Sequence, residues 1–256
     1  MNWNDKRVFL TGASSGIGEA LAVALAKKGS VLGLVARRAE LLNELKAKCE
    51  AVGGKAVALP CDVTDPEALH SAADAFRREF GRIDIAIANA GISGNNLETR
   101  SFEPAAVKKV IDINLLGAVN MIHAVLPSMK EQRSGHLVAI SSLAGFRGLP
   151  KSAAYCASKA GMTAFFESVR LDVAGDGIDV TIIQPGFIKT PLTDGRAHKM
   201  PYLMELDDAI PLFVRAIENK KKFAAFPWQL AAFVRSGKFM PAWFYDRIAG
   251  KRRYRE

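Results

Sequence analysis

Residues Thr11 to Gly18 read T-G-A-S-S-G-I-G, and this stretch decides the fold. It follows an apolar run, V-F-L within Arg7–Leu10, that suits a buried strand. From Ile17, the apolar residues Leu21, Val23, Ala24 and Leu25 continue at helical spacing to Lys28, and Gly29 stops the helix. The glycines therefore occupy a strand-to-helix turn. Gly12 permits a tight turn, Gly16 lets the chain approach a pyrophosphate, and Gly18 lets helix and strand pack closely. The helix N-terminus then offers unpaired N–H groups and a partial positive charge to phosphates. The spacing G-x-x-x-G-x-G differs from the G-x-G-x-x-G of the classical dinucleotide fold, and a glycine turn without a ligand would read the same in isolation.

The rest of the chain supplies the context. Strands are predicted at Val31–Ala36, Ala56–Leu59, Ile83–Ala88, His136–Ser141 and Val180–Gln184. Helices are predicted at Ala39 to about Val52, Pro66–Phe80, Ala105–Met129 and Ser152–Ala174. Near-continuous apolar strands separated by helices imply a doubly wound, Rossmann-type parallel β-sheet covered on both faces, an α/β fold. Ligands of such a sheet bind at the carboxyl ends of its strands, and the glycine turn falls at such an end.

The 256 residues suffice for one domain, with no linker, repeat or low-complexity stretch to divide them. The start M-N-W-N-D-K-R lacks the apolar core of a signal peptide, and no run of uncharged apolar residues reaches about 18. Cys49, Cys61 and Cys156 lack metal spacing and suit reduced thiols, so a cytoplasmic location is expected. The four scattered histidines form no ligand cluster, so no metal is expected. The net charge of +9 invites a nucleic-acid reading, but no recognition motif supports it.

Tyr155 and Lys159 form a Y-x-x-x-K pair on a predicted helix. A phenol has an unperturbed pKa of about 10. A lysine four residues on shares its helical face, and its charge favours the phenolate. That brings the phenol towards the range where it can give and take a proton. Alone, the pair would also suit a solvated helix face.

Taken together, the motifs resemble the classical short-chain dehydrogenase/reductase family over roughly residues 5 to 226. The matching pieces are T-G-A-S-S-G-I-G at Thr11, C-D-V-T-D at Cys61, A-N-A-G at Ala88, and Asn114 in D-I-N. They continue with I-S-S at Ile140, Y-C-A-S-K at Tyr155 and P-G-F-I-K-T at Pro185. The family usually shows N-N-A-G where this chain has A-N-A-G. The resemblance implies an NADP- or NAD-dependent enzyme acting on CH–OH groups and assembling as a homodimer or homotetramer. It makes Tyr155 the acid for reduction and the base for oxidation, with Lys159 also holding the nicotinamide ribose. Ser142, thirteen residues before Tyr155, would polarise the carbonyl, and Asn114 would hold a water behind Lys159. The helix-bending alternative for Asn114 has its amide bonded to backbone. The same resemblance assigns cofactor contacts to Gly12, Ser14, Ser15, Gly16, Ile17 and Gly18. It places Asp62 and Val63 at the adenine, Asn89, Ala90 and Gly91 at the adenosine ribose, and Pro185, Gly186, Ile188 and Thr190 at the nicotinamide.

Cofactor choice turns on the end of the second predicted strand. NAD-using members carry Asp where this chain has Ala36, followed by Arg37 and Arg38. Guanidinium groups suit a 2′-phosphate, and no carboxylate in this stretch opposes one, because Glu40 already belongs to the next helix. The expected cofactor is NADP(H).

Substrate identity is less legible. Phe187 to about Leu206 falls where the family places a mobile lid, and Pro191, Leu192, Met200, Tyr202, Leu203 and Met204 suit either an apolar substrate or an ordinary core. Residues 227–256 match no family motif. Residues 215–256 hold 11 Lys and Arg against 3 Asp and Glu, and 9 of the chain's 21 aromatics, including Trp228, Phe233, Phe239, Trp243, Phe244 and Tyr245. Pro241 is placed to start a short helix with Phe244 and Ile248 on one side and Lys251, Arg252, Arg253 and Arg255 beyond. Two readings stand: aromatics packed on the cleft or a neighbouring subunit, or peripheral contact with an anionic bilayer. Two other functions share parts of the pattern. A non-catalytic NADP-binding sensor or scaffold would not require Ser142, Tyr155, Lys159 and Asn114 together, and an epimerase or dehydratase usually needs an added substrate domain.

Overall fold

A computed structural model describes residues 1–94, 103–194 and 200–250. Seven parallel strands form one sheet in the order β3-β2-β1-β4-β5-β6-β7. They are β1 (Arg7–Thr11), β2 (Val31–Ala36), β3 (Lys55–Pro60), β4 (Ile85–Ala88), β5 (Gly135–Ile140), β6 (Ile178–Pro185) and β7 (Phe223–Phe226). Strands β1, β2, β4 and β5 are almost wholly buried, as a sheet covered on both faces requires. The order reverses between β1 and β4, and this switch point opens the crevice that holds the site.

Helices α1 (Gly16–Ala26), α2 (Ala39–Ala51) and α7 (Leu206–Glu218) cover one face, with Leu21, Leu42 and Phe213 packed on Val8 and Leu10. Helices α3 (Pro66–Phe80), α5 (Gly117–Glu131) and α6 (Ala153–Asp172) cover the other, with Phe76, Met121 and Phe166 packed on Phe9 and Ala86. The sheet continues beyond the predicted strands to β7, and α7 lies within the stretch before it, where no helix was expected. The helix expected over Ala105–Met129 is two: α4 (Pro104–Ile111) passes through a π turn at Asp112–Leu116 into α5. The extra residue in that turn shifts the helical phase of α5 relative to α4, which apolar periodicity does not resolve.

By length and hydropathy, the stretch Pro104–Glu131 could cross a membrane. In the fold, Val110, Ala118, Met121, Val125 and Met129 are buried against the sheet and its helices. Two short helices follow β7: α8 (Trp228–Gly237) and α9 (Ala242–Gly250). A small cluster of Leu143, Leu230 and Ala231 docks α8 beside the loop after β5.

Candidate active site

The glycine turn is locked by backbone contact. Gly12 has φ +66°, and a Cβ there would come 2.6 Å from Ala90 Cα. A Cβ on Gly18 would come 2.1 Å from the Gly12 carbonyl oxygen, so only glycine lets α1 sit this close to β1. Asn89 Nδ2 donates to the Thr11 and Gly12 carbonyls, at 3.1 and 3.0 Å. Thr11 Oγ1 accepts from the Asn89 and Ala90 amides and donates to the Ile87 carbonyl. The ends of β1 and β4 are thereby tied together across the switch point. Ser15, at the N-cap of α1, makes no side-chain cap hydrogen bond, which leaves the first amides of the helix to a ligand.

One cleft of about 1240 Å³ runs from the arginines to the C-terminal helices. Drug-sized ligands fill about 300–1,000 Å³, so this space suits a dinucleotide with a substrate beside it. Gly12, Ser14, Ser15, Gly16 and Ile17 line it, as do Arg37, Arg38, Asp62, Val63, Asn89, Ala90 and Gly91. Ser142, Tyr155, Lys159, Pro185, Gly186, Ile188 and Thr190 continue the wall. Two candidates stand behind it. Gly18 does not line the cleft, and its missing Cβ is what lets α1 pack on the Gly12 carbonyl, as its place in the turn implies. Asn114 is fully buried in the π turn.

Arg38 Nη2 donates to Ser14 Oγ at 2.9 Å and lies 3.4 Å from Ser15 Oγ, which puts a guanidinium on the glycine turn. Arg37 differs. Its Nη1 lies 3.7 Å from Asp62 Oδ2, and Asp62 Oδ1 is held by the Thr64 amide and hydroxyl. The sequence shows no opposing carboxylate at the end of β2 itself. The end of β3 brings one to Arg37, while Arg38 faces none within ion-pair distance among the described residues.

Lys159 is buried, and its Nζ donates to the Ile140 carbonyl at 2.8 Å. It lies 5.9 Å from the centroid of the Tyr155 ring, one helical turn away. Loss of hydration pulls its ammonium pKa down to about 8. No carboxylate among the described residues pairs with it, so its charge is directed at the wall that carries Tyr155. The two serines after β5 point apart. Ser141 Oγ donates to the Lys159 carbonyl and hydrogen-bonds Thr163 Oγ1, tying β5 to α6. Ser142 Oγ accepts from the Ala144 amide at 3.1 Å, and its hydroxyl hydrogen has no acceptor among the described residues. It can serve a ligand as a donor.

The Asn114 side chain is committed. Oδ1 accepts from the Ile92 amide, and Nδ2 donates to the Ile92 carbonyl and to Ser158 Oγ. This is the helix-bending, backbone-bonded arrangement. It braces the strand-end loop against α6, because Ser158 Oγ donates in turn to the Tyr155 carbonyl. A Cβ on Gly91 would come 3.2 Å from Asn114 Oδ1 and 3.6 Å from Lys159 Nζ, so the three groups share one corner.

The far end of the cleft is built from residues with no motif. Leu143, Leu149, Leu230, Phe233, Val234 and Met240 line it. Arg147 Nη1 donates to the Gly237 and Met240 carbonyls, its guanidinium sits 3.9 Å over the Tyr245 ring, and Tyr245 Oη donates to the Gly148 carbonyl at 2.6 Å. The expected lid divides. Thr190 packs against Gly16, and Pro191 and Leu192 line the cleft. Met204 instead bridges to Ile188 and packs on the core, while Tyr202 and Leu203 are exposed. Lys251, Arg252, Arg253 and Arg255 lie outside the described residues, as does the side chain of Ile248.

The chain matches the family model described as short chain dehydrogenase over residues 6–201. It is 41% identical over 249 residues to an uncharacterized oxidoreductase of Myxococcus xanthus, covering 97% of this chain and 98% of that protein. It is 35% identical over 219 residues to the ketoacyl reductase HetN of Nostoc, covering 84% of this chain and 76% of that protein. The crystal structure of levodione reductase superposes with a TM-score of 0.81 at 27% identity, covering 90% of this chain and 98% of that chain.

Proposed function

From the premise that this chain belongs to the short-chain dehydrogenase family of oxidoreductases, we propose that it is NADP(H)-dependent and interconverts a carbonyl and a secondary alcohol on an apolar substrate. The observation that carries the reading is the buried, uncompensated Lys159 charge 5.9 Å from the Tyr155 ring, in the wall of a dinucleotide-sized cleft. When bound, the nicotinamide supplies or accepts the hydride. Tyr155 Oη gives its proton to the carbonyl oxygen during reduction and takes it back during oxidation. Lys159 holds a positive charge at Nζ that favours the phenolate left behind. Ser142 Oγ donates a hydrogen bond to the oxygen as negative charge grows there. Asn114 keeps the Ile92 loop and α6 in register around this corner, and any water it holds must use the remaining lone pair of Oδ1.

Preference for the 2′-phosphate rests on Arg38, with Arg37 contributing less because Asp62 already engages it. The apolar wall of Leu143, Leu230, Phe233 and Val234 supports an apolar substrate. Three buried, unpaired cysteines support a reducing, cytoplasmic compartment. Assembly with further copies of the chain is part of the same reading. Purified protein is assayed by cofactor absorbance over a panel of ketones and aldehydes with NADPH and NADH. Turnover of an apolar ketone, faster with NADPH, is the expected result. Tight NADPH binding with no turnover on any carbonyl would make the chain a sensor.

A further inference from the structure

We propose that the face formed by α8 and α9 is a docking surface for an anionic lipid bilayer, seated beside the mouth of the cleft. The first observation is exposure. Trp228, Phe233, Phe239, Trp243 and Phe244 are 73%, 55%, 87%, 71% and 40% exposed, within 17 residues of one another. The packed side of this unit is small: Leu230 and Ala231 are buried, and Arg147 and Tyr245 hold the turn between the helices. The exposed rings therefore contribute little to the core, and water is a poor partner for so many of them in one place.

The second observation is charge. Residues 227–256 carry seven Lys and Arg against two Asp and Glu. Arg235, Lys238 and Arg247 are exposed among the rings. A second copy of the chain would bring the same cationic face against itself in a two-fold contact, which opposes that occupant. Aromatic rings interleaved with cations instead match the headgroup layer of an anionic membrane, where rings reach the acyl boundary and cations meet lipid phosphates.

The third observation is position. Phe233 and Leu149 are exposed and also line the cleft, as does Leu192 on the segment after β6. A bilayer on this face would thus lie against the apolar end of the cleft, and lipophilic molecules would pass from the lipid into it. That consequence rests on the proposed reductase reading, whereas the docking does not.

The test is flotation of the full chain with vesicles of phosphatidylcholine alone, or of phosphatidylcholine with phosphatidylserine, at low and high salt. Flotation on the anionic vesicles at low salt, weakened by salt, is expected. The paired change Lys238→Glu with Arg247→Glu lowers partition at least about twentyfold. Phe239→Ser with Trp243→Ser lowers it about tenfold, and vesicles shift the tryptophan emission of the wild type to the blue. None of these four residues lines the cleft, so both variants keep wild-type turnover of a water-soluble ketone and report on folding. Wild-type protein that stays in the soluble fraction on anionic vesicles at low salt overturns the proposal. So does unchanged flotation of the aromatic variant. Loss of self-association in that variant, with no vesicle binding by the wild type, would assign the face to a second copy instead.

Discussion

At the glycine-turn end, the floor of the cleft is backbone. Gly12, Ala90 and the Asn89 amide contacts leave no room for a Cβ at Gly12, and the ends of the central strands β1 and β4 are tied together there, with Arg37, Arg38 and Asp62 on the rim. At the α8–α9 end the wall is side chains on two short helices, held through one small apolar cluster and the Arg147 contacts. The first end can bind only what fits a rigid frame. The second can be exchanged without disturbing the sheet, as expected where one fold serves many substrates. The groups proposed for catalysis lie between, on α6 and the loop after β5, and the most informative perturbations separate the two ends.

Tyr155→Phe has the largest expected effect because it acts at the chemistry common to both. Removing a general acid typically lowers kcat by roughly 10²–10⁴-fold. NADPH affinity, set by the rigid end, should change less than about twofold, because the ring and its place on α6 survive. Steady-state kinetics and fluorescence titration measure the two quantities. A variant with wild-type turnover would remove Tyr155 from the acid role.

The next effect belongs to the rigid end alone. Replacing Arg37 and Arg38 together by Ala should weaken NADPH, with each lost charge-assisted bond contributing about 1.5–3 kcal/mol, while NADH is little affected. The single changes sharpen this. Arg38→Ala should carry most of the loss, because Arg37 is partly engaged by Asp62. Titration of both cofactors against all three variants decides it. Wild-type affinity equal for NADH and NADPH would refute the assignment, and a larger loss from Arg37→Ala would refute the division of labour.

The same contrast explains what was legible in the sequence. Gly12 and Gly18 could be read because backbone clashes leave no alternative residue, and their spacing records the turn. Tyr155 and Lys159 could be read because both sit on one helix, four residues apart. The Arg37–Asp62 pair was missed because it joins the ends of two strands, and no local pattern reports such a meeting. Strand β7 is only Phe223–Phe226 at the sheet edge, below the periodicity signal. Helix α7, by contrast, does carry Leu206, Ala209, Ile210, Phe213, Val214 and Ile217 at helical spacing, and only Pro211 in its interior argues against a helix there. Phe233 and Tyr245 were legible only as part of an aromatic tail, one of whose two readings packs it on the cleft, and both do line it. Leu230, a single apolar residue on a surface helix, carries no sign of the cleft it faces.

Acid stability tests the buried centre of the sheet that carries both ends. His136, on β5, is buried with its Nε2 2.8 Å from Thr181 Oγ1, and burial lowers its pKa to about 4. Its unfolded value is about 6.5, so between these values the unfolded chain binds more protons than the folded one. Stability is therefore full above about pH 6.5 and falls by roughly 3 kcal/mol as the pH drops to 4. His136→Gln should flatten this limb in denaturant titrations at several pH values. Emission of Trp3, buried in the core, should change at the same denaturant concentration as circular dichroism if the sheet unfolds as one unit. An unchanged pH slope in the variant would remove His136 as the cause.

The smallest expected effect isolates the α8–α9 end. Arg147→Met removes the hydrogen bonds to the Gly237 and Met240 carbonyls and the guanidinium over Tyr245, but leaves the Tyr245–Gly148 bond. Hydrogen bonds from a charged donor are worth about 1.5–3 kcal/mol and a cation–π contact about 0.5–1 kcal/mol. Part of that is recovered when water solvates the freed carbonyls. A rise of about tenfold in KM for the carbonyl substrate is therefore expected, with NADPH affinity unchanged. Because Arg147 itself lines the cleft, the rise alone would not separate positioning from direct substrate contact. Tyr245→Phe deletes the bond to the Gly148 carbonyl and leaves Arg147 in place. Because Tyr245 also lines the cleft, the rate of proteolysis within α8–α9 is measured beside KM and should rise with it if the helices have loosened. If the two residues act by holding the helices, KM rises in both variants, less in Tyr245→Phe. A rise confined to Arg147→Met would make Arg147 a substrate contact. A parallel loss of NADPH affinity would show that the two ends of the cleft are one mechanical unit, and the contrast between them would fall.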